Sequence, residues 1–398
     1  YSAIDGELAI GGQKSSVLVA ENGSPLFVYS RNRLDTRMAQ LRAAMPDGLD
    51  LHYAMKANPF QPLLRQMVSL ADGIDIASGG ELRMALDAGA AAEHISFAGP
   101  GKRDQELEQA IRAGVTINIE SPGECDRALR IGADCGKTPR LAIRVNPDFD
   151  LKGSGMKMGG GAKPFGMDIE LVAPTVRRIL DAEADWRGFH IFAGSQALSA
   201  DAIIETQAQT LDLAARLATT IGQTPDHINL GGGFGIPYFP GDEPVDIAKV
   251  GAALTDKFKK LPDILASTQF AIELGRFLVG EAGVYLTRIV DRKESQGQIF
   301  LVTDGGLHHQ LAASGNFGTV VRRNYPAAIA SRFSEEPTET ASIVGCLCTP
   351  LDRLSDNAAM PKAGVGDIVA IFCAGAYGAS ASPANFLGQG PAKEILVA

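Results

Sequence analysis

Leu51-His52-Tyr53-Ala54-Met55-Lys56-Ala57-Asn58-Pro59 is the run from which the rest of the 398-residue chain can be read. It is β-type and mostly apolar, and it carries a lysine at its end. A lysine there has two readings. It can snorkel from the strand end into solvent. Alternatively, partial desolvation beside other groups lowers its pKa from about 10.4 and frees a neutral amine that attacks an aldehyde.

Seven further β-type runs follow Leu51–Ala57: Gly73–Ser78, Ile95–Gly99, Val115–Ser121, Leu141–Asn146, Gly188–Gly194, His227–Gly232 and Phe270–Arg276. Helix-period stretches lie between them, such as Leu107/Ala110/Ile111 and Val172/Val176/Ile179/Leu180. Eight β/α repeats in about 230 residues predict an α/β fold of the (β/α)8 TIM-like barrel class. An amphipathic helix from about Asn32 to Met45, with Leu34, Met38, Leu41 and Met45 on one face, leads into the first strand.

After Arg276 the texture changes. Gly283–Val290, Gln298–Thr303, Ala341–Gly345, Asp367–Ala374 and Glu394–Val397 are strand-like runs separated by Gly/Pro/Asp turns, which predicts a second, all-β domain of sandwich or barrel type. Glu7–Ile10 and Val17–Val19 are also β-like and join it. The predicted division is residues 23–276 for the barrel and 1–22 plus 277–398 for the β domain.

Composition narrows the partners. Apolar content of 45% with 21% charged residues describes an ordinary globular protein. A net charge of −9, with no compact Lys/Arg run to offset it, argues against nucleic acid. The chain has no run of eighteen uncharged apolar residues and no basic-then-apolar start, so neither a membrane span nor a signal peptide is predicted and a cytoplasmic location is expected. It opens on Tyr1, so some N-terminal sequence is expected to be missing. Cys125, Cys135, Cys346, Cys348 and Cys373 are odd in number and lack CxxC spacing, which fits reduced thiols and predicts neither a disulfide framework nor a metal site.

Barrel enzymes place chemistry at the C-terminal ends of their strands. Lys56, Asp75, Ser78, Arg144, Asn146, Gly194, Ser195, the Gly231–Gly233 run, Glu273 and Arg276 all fall at or just beyond predicted strand ends. Gly231-Gly232-Gly233-Phe234-Gly235 is either a tight turn or a cradle in which backbone N–H groups converge on an anion. Ser195 after strand six and Arg276 after strand eight add donors at neighbouring strand ends, which suits a phosphate.

In order along the chain, these motifs resemble those of the fold-type III pyridoxal-phosphate (PLP) decarboxylases, the group of diaminopimelate and ornithine decarboxylases. The resemblance is carried by Lys56 in its run, Asp75-Ile76-Ala77-Ser78 with Glu81, Gly194-Ser195-Gln196, Gly231–Gly235, Glu273-Leu274-Gly275-Arg276, Cys348 within Gly345-Cys346-Leu347-Cys348-Thr349-Pro350-Leu351-Asp352, and Gly375-Ala376-Tyr377. It implies pyridoxal 5'-phosphate bound to Lys56 as a Schiff base. Asp75, Ser195, Gly231, Gly232, Gly233, Gly275, Arg276 and Tyr377 are then cofactor-binding, with the Tyr377 hydroxyl completing the phosphate donors.

Glu273 either pairs with Arg276 or, as the resemblance implies, keeps the pyridine nitrogen protonated and the ring an effective electron sink. Relatives that racemise usually place arginine there, so Glu273 favours decarboxylation. The family usually has proline at position 274; leucine leaves both functional residues in place. The stacking histidine of the relatives falls on Phe192, which can stack but cannot hydrogen-bond. His190, on the same strand face, either approaches the cofactor or is a satisfied core histidine.

Cys348 matches the thiol that positions substrate and protonates the carbanion left by CO2 loss. In this family it comes from the partner subunit, which implies a head-to-tail homodimer with shared active sites. Cys346 is a nearby competitor, and either thiol can be a buried apolar one.

Substrate identity departs from the pattern. The residue after the cysteine is acidic in diaminopimelate and ornithine decarboxylases, where it grips the distal amine; here it is Thr349. Arg322, Arg323 and Tyr325 are candidates for a distal carboxylate, although their spacing does not reproduce the family's, and Arg276 and Tyr377 are further substrate candidates. The loop from Lys152 to Lys163 covers the site, meets a carrier protein, or is a solvated insertion. These departures resemble a diaminopimelate-decarboxylase-like subgroup associated with exopolysaccharide and exosortase systems, and more distantly decarboxylases of carrier-bound amino acids.

The expected function is PLP-dependent decarboxylation of an amino acid, diaminopimelate-like. Another basic or carrier-protein-linked amino acid is an alternative substrate. Two further alternatives are a non-catalytic homologue that regulates a decarboxylase, opposed by retention of Lys56, Glu273 and Cys348, and a racemase, opposed by Glu273.

Overall fold

The computed structural model describes residues 1–153, 155–157, 159–315 and 323–398. They form two compact units: Met38–Ile236 with Glu243–Gly275, and Tyr1–Arg37 with Pro237–Asp242 and Arg276–Ala398.

All eight predicted strands form in the first unit: β1 Leu49–Ala54, β2 Gly73–Ile76, β3 Ile95–Phe97, β4 Thr116–Ile119, β5 Arg140–Asn146, β6 Asp185–Ile191, β7 His227–Gly232 and β8 Gln269–Leu274. Each pairs in parallel with the next, and β8 pairs with β1, so the sheet closes into a TIM-like barrel. Alternation within β8 shows why. Phe270 turns outward onto Phe258 of the helix Ile247–Phe258, with ring centroids 4.7 Å apart, whereas Glu273, on the opposite face, lines a cavity at the strand ends.

The N-terminal half of the barrel interior is polar, lined by Asp50, His52, Ser96, Asn118, His227 and Asn229 among others, instead of the branched apolar layers usual in such barrels. Two strand-to-helix turns use one device. Ser78 accepts from Glu81 N while Glu81 accepts from Ala77 N, and Ser121 accepts from Glu124 N while Glu124 accepts from Glu120 N. Ser78 and Glu81 are therefore accounted for as a helix cap.

Several boundaries differ from expectation; the sixth strand, for one, ends at Ile191 and not at Gly194. The first predicted strand stops at Ala54, and Met55–Ala57 form a 3-10 turn closed by Asn58 N on Met55 O and braced by Tyr53 Oη on Asn58 O. The leading helix spans Arg31–Ala44.

In the second unit the strand Leu26–Ser30 lies between Gly283–Ser295, antiparallel, and Lys393–Val397, parallel. Those ladders explain why the division falls after Arg37 and not at residue 23. Pro237–Asp242 also clusters with this unit, because Tyr238 and Phe239 pack on Tyr325. Glu7–Ile10 forms a strand as expected. Val17–Val19 does not: it lies in the helix Ser15–Asn22, where Ser15, Leu18 and Val19 are buried at helical spacing. An apolar run that short fits either period.

The core of this unit joins Leu8, Ile10, Leu18, Leu26, Val28, Val284, Leu286 and Ile368. All five cysteines are free thiols. Among the described residues no helix is long and apolar enough to cross a membrane.

Candidate active site

At the C-terminal ends of the barrel strands a cavity of about 200 Å³ is lined by Lys56, Asp75, Arg144, Phe165, His190 and Glu273, with backbone from β2 and the Ala98–Pro100 loop. Lys56 is exposed on its turn, with Nζ 5.9 Å from the Phe192 ring centroid. Gly275 brings the end of β8 against that turn: a Cβ there would lie 2.9 Å from Ala57 Cβ and 3.1 Å from Ala54 O.

Glu273 is buried, and its Oε2 lies 2.9 Å from His190 Nε2 and 3.3 Å from Asn229 Nδ2. Burial alone would raise the carboxyl pKa, but His190, with Lys56 and Arg144, outweighs it and holds the group below the ordinary carboxylate range. The carboxylate thus stays ionised at the cavity wall. Asn229 Oδ1 accepts from Gly231 N at 2.8 Å, so one side chain ties Glu273 to the start of the glycine run. Asp75 Oδ2 and His190 Nδ1 are buried without a hydrogen-bond partner among the described residues. Each such atom costs about 1–3 kcal/mol, a cost that a polar ligand in this cavity would relieve.

The glycine run is demanded by packing as well as by any anion. A Cβ at Gly232 would collide with the Glu273 carbonyl oxygen, and one at Gly233, at φ +80°, with the Gly194 carbonyl oxygen. Gly231, at φ +72°, would place a Cβ 2.6 Å from Ile191 O. Gly232→Ala is expected to lower stability by about 3 kcal/mol or more, since a rigid backbone carbonyl cannot yield; thermal denaturation of the two proteins checks it.

Gln196, unassigned by sequence reasoning, clamps the loops after β6 and β7 by donating to Ile236 O and accepting from Ile236 N. Ser195 opens this segment, its backbone paired with Met156. Of the loop from Lys152 to Lys163, Ser154 and Met158 lie outside the described residues.

Glu120 was also missed in the sequence; it forms a buried pair at 3.0 Å with Arg144, one of the predicted strand-end residues. Glu120 also accepts from Gly99 N at 2.6 Å and Gly166 N at 2.9 Å, gathering the loops after β3 and β5 around the cavity. Behind it Lys102 donates to Glu124 and to the carbonyls of Gly99 and Asn118. The one available signal was the repeated S-x-x-E cap at Ser121.

The remaining predicted site residues lie in the second unit. Arg276 Nη1 donates to Tyr238 Oη at 2.7 Å, and its guanidinium is 4.9 Å from the Tyr377 ring centroid. Tyr325 is buried, 4.7 Å from the Tyr238 ring, and Arg323 lies over Phe239. Arg322 lies outside the described residues.

Cys346 and Cys348 are both exposed on the loop Gly345–Asp352, beside exposed Leu351. Asp352 fixes that loop by accepting from Leu307 N and Leu347 N at 2.6 and 2.8 Å. Thr349 N donates to Leu347 O.

An amine, an ionised carboxylate, an aromatic face and unsatisfied polar atoms around one cavity fit a phosphorylated aromatic aldehyde with a ring nitrogen. Comparison with known proteins agrees. Residues 31–280 match the family described as pyridoxal-dependent decarboxylase, pyridoxal binding domain. The chain is 36% identical over 381 residues to the L-glutamyl-[BtrI acyl-carrier protein] decarboxylase of Niallia circulans, covering 94% of this chain and 88% of that protein. It is 33% identical over 399 residues to the diaminopimelate decarboxylase of Aquifex aeolicus, covering 99% and 91%. The crystal structure of diaminopimelate decarboxylase from M. jannaschii superposes with a TM-score of 0.90 at 26% identity, covering 99% of this chain and 92% of that one.

Proposed function

This chain belongs to the pyridoxal-dependent decarboxylase family, and on that premise we propose that its substrate is L-glutamate attached to a carrier protein, from which it removes the α-carboxylate as CO2. The enzyme is a PLP-dependent amino-acid decarboxylase.

The observation that carries the substrate reading is Thr349 after Cys348, where relatives that grip a distal amine have a carboxylate. A hydroxyl offers no such charge. The relative at 36% identity, a glutamyl-carrier decarboxylase, supports the same reading. Chemistry then fixes the attachment. The departing carboxylate must be free, so glutamate is held through its γ-carboxyl, and the product is an amine on the same carrier after one proton is taken up. Free meso-diaminopimelate is the second reading, favoured by the relative at 33% identity.

In this assignment Lys56 would hold the cofactor through its aldehyde, and Glu273, braced by His190 and Asn229, would hold a proton at the ring nitrogen. Phe192, near the Lys56 amine, would pack against the bound ring, and Asp75 and His190, each with a buried polar atom unpartnered among the described residues, would bond its polar groups. Ser195 and the Gly231–Gly233 backbone would bind the phosphate, a role that the family resemblance extends to Arg276 and Tyr377. Bound there, PLP supplies an electron sink for the pair left behind when CO2 departs.

Cys348 delivers the proton to Cα from a partner subunit, in a cytoplasmic homodimer whose sites are shared. Its exposure beside Leu351 supports a surface that another protomer covers.

The test is CO2 release from γ-L-glutamyl pantetheine thioester beside meso-diaminopimelate, lysine, ornithine and free glutamate. The thioester is expected to turn over with the highest kcat/KM. A higher value for meso-diaminopimelate would move the assignment to the second reading.

A further inference from the structure

We propose that the N-terminal mouth of the barrel, opposite the Lys56 cavity, is a binding site for a divalent transition metal, zinc by its ligand chemistry, with Asp50, His52 and His227 as ligands. Asp50 and His52 stand two residues apart on β1 and so project to the same face, and His227 opens β7. One donor atom from each lies within 4.8 Å of the others. Zinc takes imidazole nitrogen and carboxylate oxygen at about 2.0–2.2 Å, which sets tetrahedral donors about 3.4 Å apart. Side-chain rotation of roughly an ångström per ligand therefore closes the set around an ion.

Three observations raise this group above a chance meeting of polar side chains. First, His52 Nδ1 faces Asp75 Oδ1 at 3.4 Å. A carboxylate behind a histidine fixes the ring's orientation and tautomer and leaves Nε2 as the free donor, which is the usual backing of a metal-bound imidazole.

Second, the space around the ring is built for it. Gly73 lies against the His52 imidazole, where a Cβ would come within 2.5 Å of Nε2 and 2.7 Å of both flanking carbons, hence over the ring face and not across the lone pair.

Third, the three ligands line a cavity of about 310 Å³ that also carries Ser96, Asn118 and Asn229, so water can complete the coordination. Arg140 and Arg187 line it too, but acidic groups other than Asp50 pair with them. Arg187 lies 2.8 Å from Asp226 and 3.6 Å from Asp185, and Arg140 lies 3.5 Å from Asp185.

Two histidines and a carboxylate with an open fourth position form a ligand set suited to zinc and neighbouring first-row ions. Asp75 also lines the Lys56 cavity, so the proposed ion is linked to the cofactor pocket through a single imidazole and a single carboxylate.

The experiment uses the full-length holoenzyme, dialysed against EDTA and titrated with zinc chloride by calorimetry, with metal counted by mass spectrometry after desalting. One equivalent per chain and a zinc-dependent rise in melting temperature are expected. Both should be lost in His227→Asn and in Asp50→Asn. Asp75→Asn, which removes the backing carboxylate and no ligand, should weaken zinc binding by about 10–100-fold, and is read by zinc binding alone because Asp75 also faces the Lys56 cavity.

Because Cys346 and Cys348 are exposed thiols, the double variant Cys346→Ser/Cys348→Ser is titrated in parallel and is expected to bind as the parent does. Zinc that survives in both His227→Asn and Asp50→Asn, or that disappears only in the cysteine variant, would overturn the site. So would a parent enzyme that takes up none. Circular dichroism of the two ligand variants confirms that a loss of binding is not a loss of fold.

Discussion

Lys56→Ala is expected to lower kcat by at least about 10³-fold, roughly 4 kcal/mol of barrier, while leaving the fold intact. The side chain stands exposed on its turn, so its removal opens no core cavity. On the proposed assignment, what is lost is the amine that would hold the cofactor in register with Glu273, both residues lining one cavity. Borohydride reduction followed by peptide mapping should place the cofactor's mass on the Lys56 peptide of the parent and on no peptide of the variant. Mixing Lys56→Ala with Cys348→Ala chains should recover activity that neither has alone, because one subunit then supplies an intact barrel and its partner an intact thiol. Failure to recover it after subunit exchange would remove the shared-site dimer, and a variant that keeps the parent's kcat would remove the lysine from the chemistry.

Glu273→Gln is the second large effect, expected to cut kcat by about 10²-fold, near 2.7 kcal/mol. Glutamine keeps the shape and can still bond His190, so the change isolates the charge from the packing. On the proposed assignment, loss of the charge removes the group that would hold a proton at the ring nitrogen; KM, which does not depend on that proton, should change far less. His190→Gln keeps Glu273 but replaces the imidazole 2.9 Å from its carboxylate, and an intermediate loss is expected. Single-turnover rates across the three proteins check the order. Equal kcat for parent and Glu273→Gln would leave the carboxylate a structural role only.

Much of this architecture was legible locally. The eight barrel strands were written in contiguous runs of apolar residues, and the change of texture after Arg276 marked the start of the second unit's main segment, because strand and helix periods are properties of neighbours in sequence. Where a period was too short to decide, as in Val17–Val19, the reading went to the wrong element. The first-unit boundary failed for a different reason: Leu26–Ser30 looks like any buried strand, and only its partners at Gly283–Ser295 and Lys393–Val397 assign it to the β unit.

Residues that sit at strand ends, Lys56, Asp75, Glu273 and the glycines, could be found by position, since a barrel sends every strand's C-terminal end to one rim. Their partners could not. His190 meets Glu273 across 83 residues and Glu120 meets Arg144 across 24, pairings set by the register of the closed sheet. The same closure, β8 onto β1, gathers Asp50, His52 and His227 at the opposite mouth, where no spacing along the chain announces a ligand set. The sequence alone determined which groups exist and which end of the barrel each faces; the tertiary structure decided who stands beside whom, because hydrogen bonds and charge pairs act through a few ångströms of space that only the folded sheet supplies.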